Sequence, residues 1–258
     1  MFEENMPSTR ALPCPQLVAA LDLPDKDRAL SLARSLRGIV PWCKVGMELF
    51  TLAGPALLEA LRGLDFKVFL DLKFYDIPHT VAQAVKAAAA GGADLLTLHC
   101  QGGERMCRAA REAAAGLPNG GPLLFGVTVL TSFAQDEMPG IAATPRAFAL
   151  SLAQGAAAWG LDGVVCSGHE APEIKQRCPD LRCLCPGIRP TGAAADDQRR
   201  VMTPAMAVAA GADYLVVGRP ILTAPDPVQT AQDMADAIRL AATDFTGQQP
   251  SGPGGAPA

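Results

Sequence analysis

Short apolar runs alternate with longer segments of helical periodicity along most of this sequence, and this alternation limits the folds open to it. It favours parallel βα units over an all-β or all-α domain. The predicted strands cover residues 16–21, 42–46, 66–72, 94–99, 123–129, 163–167, 181–185 and 214–217. The predicted helices cover residues 25–37, 52–62, 80–90, 104–115, 145–159, 171–177, 204–210 and 228–241. Eight such units predict an α/β fold, a (β/α)₈ TIM barrel in a single domain.

A doubly wound open sheet is the alternative fold for such an alternation. The first strand-turn, Leu21-Asp22-Leu23-Pro24, lacks the glycine fingerprint of a dinucleotide-binding fold, which favours the barrel. The predicted barrel domain spans residues 14–245. Residues 1–13 are expected to form a flexible arm, and residues 246–258, rich in glycine and proline, a disordered tail.

Charge and terminal sequence exclude several classes of function. The net charge of −4 gives no reason to expect a nucleic-acid partner. The N-terminus lacks the features of a secretory signal, and no apolar run approaches membrane-spanning length. We therefore expect a cytoplasmic protein without a membrane partner. Its eight cysteines are then expected to be reduced thiols, with Cys43, Cys100 and Cys166 in buried strands.

The end of the third predicted strand carries two carboxylates and an ammonium group within six positions. Asp71 and Lys73 are two residues apart, so a strand would project them from the same face. Asp76 follows the predicted strand end and need not reach the same pocket within its own subunit. Two interpretations of this segment stand side by side, a structural ion pair and a catalytic pair.

Other polar residues follow the carboxyl ends of neighbouring strands, where the active sites of such barrels lie. Asp22 follows the first predicted strand, and Lys44 lies in the second. His99 ends the fourth, and Thr131 follows the fifth. This convergence of charged groups favours the catalytic interpretation of Asp71 and Lys73.

Glycine and arginine residues follow the last two predicted strands, which is the usual phosphate site in these barrels. Gly218 and Arg219 follow the eighth strand, where backbone N–H groups and a guanidinium can bind a phosphate dianion. Arg189 follows the seventh and precedes a polar loop, residues 191–200, that is long enough to close over a ligand. A small phosphorylated substrate is predicted.

The assembled motifs give the chain a strong resemblance to the orotidine 5′-phosphate decarboxylase family, from about residue 18 to residue 221. Residues 71–78, DLKFYDIP, resemble that family's D-x-K-x-x-D-I-P signature. Further matches occur in the family's order at Lys44-Val45-Gly46, residues 127–132, residues 186–189, residues 197–200 and Val217-Gly218-Arg219. The signature alone is shared with sugar-phosphate decarboxylases and aldolases, whereas the whole set is specific.

The resemblance implies conversion of orotidine 5′-monophosphate to UMP and CO₂ in de novo pyrimidine biosynthesis, with no metal or organic cofactor. It implies that Lys73 is the proton donor in a charged network with Lys44, Asp71 and Asp76. Asp76 and Thr80 would come from the second subunit of a homodimer. The implied substrate contacts are Asp22 and Lys44 for the ribose, with Asp71 at the reacting end, Thr131 for the pyrimidine, Gln198 for base and phosphate, and Arg189, Gly218 and Arg219 for the phosphate.

Two other functions are compatible with parts of this pattern. A Mg²⁺-dependent keto-sugar-phosphate decarboxylase or aldolase would share the signature. Gln198 and the Leu130-Thr131-Ser132 turn argue against this, because they suit a pyrimidine nucleotide. A noncatalytic nucleotide-binding barrel is the other alternative, and the intact set of charged residues argues against it.

Overall fold

A computed structural model describes residues 14–133, 137–138, 140–190 and 201–247. Eight parallel strands form a closed barrel in the order of the sequence, which confirms the predicted fold. The strands are β1 (Gln16–Ala20), β2 (Trp42–Gly46), β3 (Lys67–Phe74), β4 (Leu95–His99), β5 (Leu123–Val127), β6 (Gly163–Val165), β7 (Arg182–Cys185) and β8 (Tyr214–Val217).

Helices connect the strands and surround the barrel. They are α1 (Lys26–Leu36), α2 (Met47–Ala53), α3 (Pro55–Arg62), α4 (Pro78–Ala90), α5 (Gly103–Ala115), α6 (Pro145–Ala158), α7 (Ala171–Arg177), α8 (Pro204–Ala209), α9 (Arg219–Leu222) and α10 (Pro227–Gly247). Local sequence starts several of them. Side chains of Asp25, Thr144 and Thr203 accept hydrogen bonds from the first turns of α1, α6 and α8, respectively.

The structure corrects several predicted boundaries. The single helix expected at 52–62 is two helices, because Gly54 adopts a φ of 62° between α2 and α3. The short helix α9 was not predicted. Strand β3 extends to Phe74, two residues beyond its predicted end, whereas β5 and β6 each stop two residues early. Helix α10 continues to Gly247, and residues 1–13 and 248–258 lie outside the described residues.

Aromatic side chains fill the barrel interior near the amino ends of the strands. Tyr214 packs edge-on against Trp42 and Phe125, with ring centroids 5.6 and 5.4 Å apart. Phe69 belongs to the same buried cluster. This packing fills the barrel at the amino ends of the strands.

Three aspartates at the amino ends of the even-numbered strands fix the strand that precedes each of them. Asp94 accepts a hydrogen bond from the Val68 N–H, Asp162 from the Leu124 N–H and Asp213 from the Cys183 N–H. Each distance is 2.7 or 2.8 Å. These carboxylates lie at the amino ends of the strands, whereas active sites of such barrels lie at the carboxyl ends. Polar residues at the amino ends typically contribute to stability.

Replacing Asp162 by alanine should lower the free energy of unfolding by about 2 kcal/mol, because a buried backbone N–H would lose its acceptor. Chemical denaturation measures the effect. The exposed Asp180 provides a matched control, and Asp180→Ala should stay within about 0.5 kcal/mol of the parent. Equal stabilities for the two variants would contradict this role for Asp162.

All eight cysteines carry free thiols. Cys43 is buried in β2 as predicted. Cys100 instead begins a short 3₁₀ helix, and Cys166 follows β6, although both are buried. Burial raises the pKa of the Cys43 thiol to about 12. Within the described ranges, every helix is too short or too polar to cross a lipid bilayer.

Candidate active site

A cavity of about 520 Å³ opens at the carboxyl ends of the strands. It collects most of the residues that the sequence singled out. Those that line it are Asp22, Lys44, Asp71, Lys73, Thr131, Arg189, Gly218 and Arg219. Apolar side chains that include Phe69, Val127 and Leu184 form much of the remaining wall. The cavity therefore combines a charged side, an apolar wall and two arginines.

The charged side is a chain of alternating charges that runs across three adjacent strands. Lys73 Nζ lies 2.9 Å from both carboxylate oxygens of Asp71. Lys44 Nζ lies 3.7 Å from Asp71 Oδ2 and donates to Asp22 Oδ1 at 2.7 Å. The predicted pair of Asp71 and Lys73 therefore forms. Lys44 and Asp22, on the two preceding strands, form a second pair beside it.

Asp71 is a buried carboxylate, with 9% of the residue exposed. Burial alone would raise its pKa, but the charges of Lys44 and Lys73 and hydrogen bonds from Lys73 and Thr97 outweigh that effect. The pKa of Asp71 therefore lies below its usual value. The carboxylate is ionised at neutral pH, and it holds an ammonium group beside open space in the cavity.

The backbone at Lys73 departs from regular strand geometry. Its φ is 52°, a left-handed conformation that is uncommon for residues other than glycine. Pairing with β4 shifts here, from Leu70 with Leu96 to Phe74 with Leu98, so residues 71–73 lie opposite Thr97 alone. Sequence reasoning did not single out Thr97, although a hydroxyl group inside the apolar run Leu95-Leu96-Thr97-Leu98 was a usable signal.

Gly46 leaves room for the pair of Asp22 and Lys44. A Cβ atom at this position would lie 3.0 Å from Asp22 Oδ1 and 3.1 Å from Lys44 Nζ. Asp22 lines the cavity and keeps half of its side chain exposed. A hydroxylated ligand can therefore reach this pair.

Two backbone contacts fix the segment that carries Arg189. The Arg189 N–H donates to the Met202 carbonyl at 2.9 Å, and the Met202 N–H donates to the Gly187 carbonyl at 3.3 Å. Arg189 and Met202 are thereby held together, and residues 191–200 lie outside the described residues. Arg189 is 7% exposed, and its side chain reaches the cavity wall. Gln198, predicted to contact base and phosphate, lies outside the described residues.

Asp76 and Thr80 do not line this cavity. Both are exposed, and Asp76 Oδ1 accepts a hydrogen bond from the Ile77 N–H at 2.6 Å. Large apolar side chains are exposed in the same region. Tyr75 and Ile77 flank Asp76, while Met47 and Leu52 lie in α2, after the neighbouring strand; each of the four is more than half exposed.

His99 lies beside the charged chain but outside the main cavity. Its ring contacts the Tyr75 ring, with centroids 5.6 Å apart, and it lines a smaller cavity of about 300 Å³. Burial and the Lys73 charge lower the pKa of His99 against the opposing effect of Asp71. The imidazole is therefore neutral near pH 7. Among the described residues, no cluster of three or more His, Cys, Asp or Glu side chains is arranged to hold a metal ion.

Comparison with known proteins assigns this chain to a family. A family model described as "Orotidine 5′-phosphate decarboxylase / HUMPS family" matches residues 15–234. The orotidine 5′-phosphate decarboxylase of Nitratidesulfovibrio vulgaris (strain DP4) is 57% identical over 225 residues, covering 84% of this chain and 94% of the relative.

Two crystal structures extend the similarity to the fold. Orotidine 5′-phosphate decarboxylase from Lactobacillus acidophilus is 34% identical with a TM-score of 0.77, covering 87% of this chain and 99% of that one. Orotidine 5′-monophosphate decarboxylase from Methanocaldococcus jannaschii, complexed with the inhibitor BMP, is 25% identical with a TM-score of 0.69 at the same coverage. The chain belongs to the orotidine 5′-phosphate decarboxylase / HUMPS family.

Proposed function

We propose that the protein decarboxylates orotidine 5′-monophosphate to UMP and CO₂, with Lys73 as the proton donor. One observation carries the assignment of the reacting centre. The Lys73 ammonium is held by both oxygens of an ionised Asp71 at the edge of a cavity that arginines also line. The reaction belongs to pyrimidine biosynthesis, and the free thiols fit a cytoplasmic enzyme.

The chemistry explains why an ammonium group is needed. Loss of CO₂ from C6 leaves an electron pair in an in-plane sp² orbital, which the π system of the ring does not delocalise. An ammonium group fixed beside C6 stabilises this charge, most strongly where water is excluded. Lys73 then transfers a proton to C6 and gives UMP. Asp71 keeps the lysine charged until that step.

Asp71 has a second role in this proposal. Its carboxylate faces the carboxylate of the substrate, and this like-charge contact is relieved as CO₂ leaves. The pKa of Asp71 lies below its usual value, so the side chain stays ionised in the pH range where the enzyme works. The neighbouring Lys44 balances the charge at the other side of Asp71.

The remaining residues of the cavity bind the ribose and phosphate groups. Asp22 and Lys44 hold ribose hydroxyls, which is supported by their pairing at 2.7 Å and by the exposure of Asp22. Arg189, Gly218 and Arg219 bind the phosphate. Thr131 contacts the pyrimidine, and Gln198 completes the contact with base and phosphate. Binding energy at the phosphate, remote from the reacting carbon, helps to assemble the site. Residues 191–200, expected from the sequence to close over the ligand, lie outside the described residues.

The active form is a homodimer in which Asp76 and Thr80 reach the cavity of the partner. Asp76 is exposed and does not line the cavity of its own chain, which supports a role across the interface. Exposed Met47, Leu52, Tyr75 and Ile77 lie on two adjacent connections, after β2 and β3, and such apolar surface is typical of protein interfaces. A two-fold interface would bury this apolar surface on both subunits. It would also place Asp76 of each subunit at the cavity of the other.

The direct test of activity follows the loss of orotidylate absorbance with purified protein, with and without EDTA. We expect turnover that the chelator does not change. Turnover of a keto-sugar phosphate that EDTA abolishes would instead identify a metal-dependent enzyme of the same superfamily. Binding of UMP without any turnover of orotidylate would identify a noncatalytic barrel.

Replacing Arg219 by alanine should raise KM by about 100-fold, because a charge-assisted hydrogen bond to the phosphate is lost. Steady-state kinetics measure the change. Arg37→Ala serves as the control, since this exposed arginine pairs with Asp65 away from the mouth. Similar KM values for the two variants would contradict the phosphate role of Arg219.

A further inference from the structure

We infer that Thr97 is a positioning residue for the reacting lysine, which it holds through both the lysine backbone and the Asp71 carboxylate. The inference rests on the proposed function, because it assigns a role within the same site. Thr97 does not line the cavity and is 1% exposed. It therefore acts through its neighbours and has no contact with the substrate.

The irregular pairing of β3 with β4 creates a need for such a residue. Residues 71–73 lie opposite Thr97 alone, and Lys73 adopts a φ of 52°. A non-glycine residue keeps this conformation only where its surroundings hold it. At the same point the regular hydrogen bonds between the two strands are interrupted, so the Lys73 N–H needs another acceptor.

The Thr97 hydroxyl is that acceptor, and its own proton has a defined destination. The Lys73 N–H donates to Thr97 Oγ1 at 3.0 Å. Thr97 Oγ1 in turn donates to Asp71 Oδ1 at 2.8 Å. A hydroxyl has one proton and two lone pairs, so it can make both bonds at once. The polarity of the pair is fixed because an ionised carboxylate can only accept.

These contacts form a closed loop. The backbone of Lys73 bonds to Thr97, Thr97 bonds to Asp71, and Asp71 bonds to the Lys73 ammonium at 2.9 Å. Thr97 comes from the neighbouring strand, so it fixes the carboxylate from outside the chain of charges. One hydroxyl thereby fixes the position of the Lys73 backbone directly and the position of its ammonium group through Asp71.

Packing alone gives no reason for threonine at this position. The neighbours of Thr97 along β4 are leucines, and valine would fill the same space without a polar atom. A hydroxyl buried in apolar surroundings is unfavourable unless it is hydrogen-bonded. The hydroxyl is retained here together with two bonds to the reacting pair, which points to a role in geometry.

The test compares Thr97→Val, which removes the hydroxyl at constant shape, with Thr97→Ser, which keeps it. We expect Thr97→Val to lower kcat by about 10- to 100-fold, as displacements of about 1 Å at reacting groups do. The KM for orotidine 5′-monophosphate should stay within about threefold, because ribose and phosphate contacts are untouched. Thr97→Ser should recover most of the lost kcat.

Ser167→Ala is the control. Ser167 is also buried, its hydroxyl oxygen accepts a hydrogen bond from the His169 N–H at 3.3 Å, and it does not line the cavity. This variant is expected to keep kcat within about threefold. An equal fall in kcat for Thr97→Val and Ser167→Ala would mean that any lost buried hydroxyl impairs the enzyme, and would overturn the inference.

Crystal structures separate this inference from the proposed function. In Thr97→Val the distance from Lys73 Nζ to Asp71 should grow beyond about 3.5 Å, outside hydrogen-bonding range. An unchanged distance with an unchanged kcat would overturn the positioning role. If the wild-type protein fails to decarboxylate orotidylate, the proposed function falls, and the Lys73 to Asp71 distance still decides the role of Thr97. If Thr97→Val does not fold, Thr97→Ala replaces it, and wild-type kcat in that variant would overturn the inference.

Discussion

Replacing Lys73 by alanine should lower kcat by at least about 10⁴-fold, because one side chain supplies both the proton and the nearest positive charge. Binding of UMP should persist, since Asp22, Arg189 and Arg219 remain in place. A loss of kcat with retained binding of UMP distinguishes a chemical role of Lys73 from a structural one. Single-turnover kinetics together with calorimetric titration of UMP measure the two quantities.

The control for this variant lies on the same strand. Lys67 begins β3 at the opposite end of the barrel, where its ammonium lies 5.4 Å from the Trp42 ring centroid. Lys67→Ala should keep the wild-type kcat. Turnover by Lys73→Ala at a rate close to that of Lys67→Ala would refute the assignment of Lys73 as the proton donor.

Hybrid dimers should show that each active site draws on both subunits. A purified hybrid of one Lys73→Ala subunit and one Asp76→Ala subunit has one site with an intact Lys73 and an intact partner Asp76. Its kcat should be about half that of the wild-type dimer, whereas each parent homodimer should be nearly inactive. Two different affinity tags allow the hybrid to be isolated.

The matched control carries the same two substitutions on one subunit. A hybrid of wild-type and Lys73→Ala/Asp76→Ala subunits contains no complete site if Asp76 acts on the partner, so it should be nearly inactive. If Asp76 acts within its own subunit, the activities of the two hybrids are exchanged. That exchange would contradict the shared site and leave the exposure of Asp76 without a catalytic explanation.

The sequence predicted the barrel and the charged pair because both depend on local periodicity. Apolar runs gave the strands, and their carboxyl ends placed Asp22, Lys44 and Asp71 at one mouth. The spacing of Asp71 and Lys73 correctly predicted that they meet. The reason was incomplete, however, because the strand is irregular at this point and Lys73 adopts a positive φ.

What the sequence did not predict depends on contacts between distant segments. Thr97 matters because it lies opposite the irregular part of β3, and the register of β3 with β4 cannot be read from either strand alone. The division at Gly54 and the short helix α9 also follow from backbone geometry at single residues. Helical periodicity over several turns does not detect such elements.

The most direct test of the central claim is the position of the new hydrogen in the product. Wild-type protein is incubated with orotidine 5′-monophosphate in D₂O with EDTA present. The product UMP should carry a single deuterium at C6, because the Lys73 ammonium exchanges its protons for deuterons and transfers one of them to C6 when CO₂ leaves. Proton NMR of the product measures this. No UMP, or UMP formed only when a divalent metal is restored, would contradict the account.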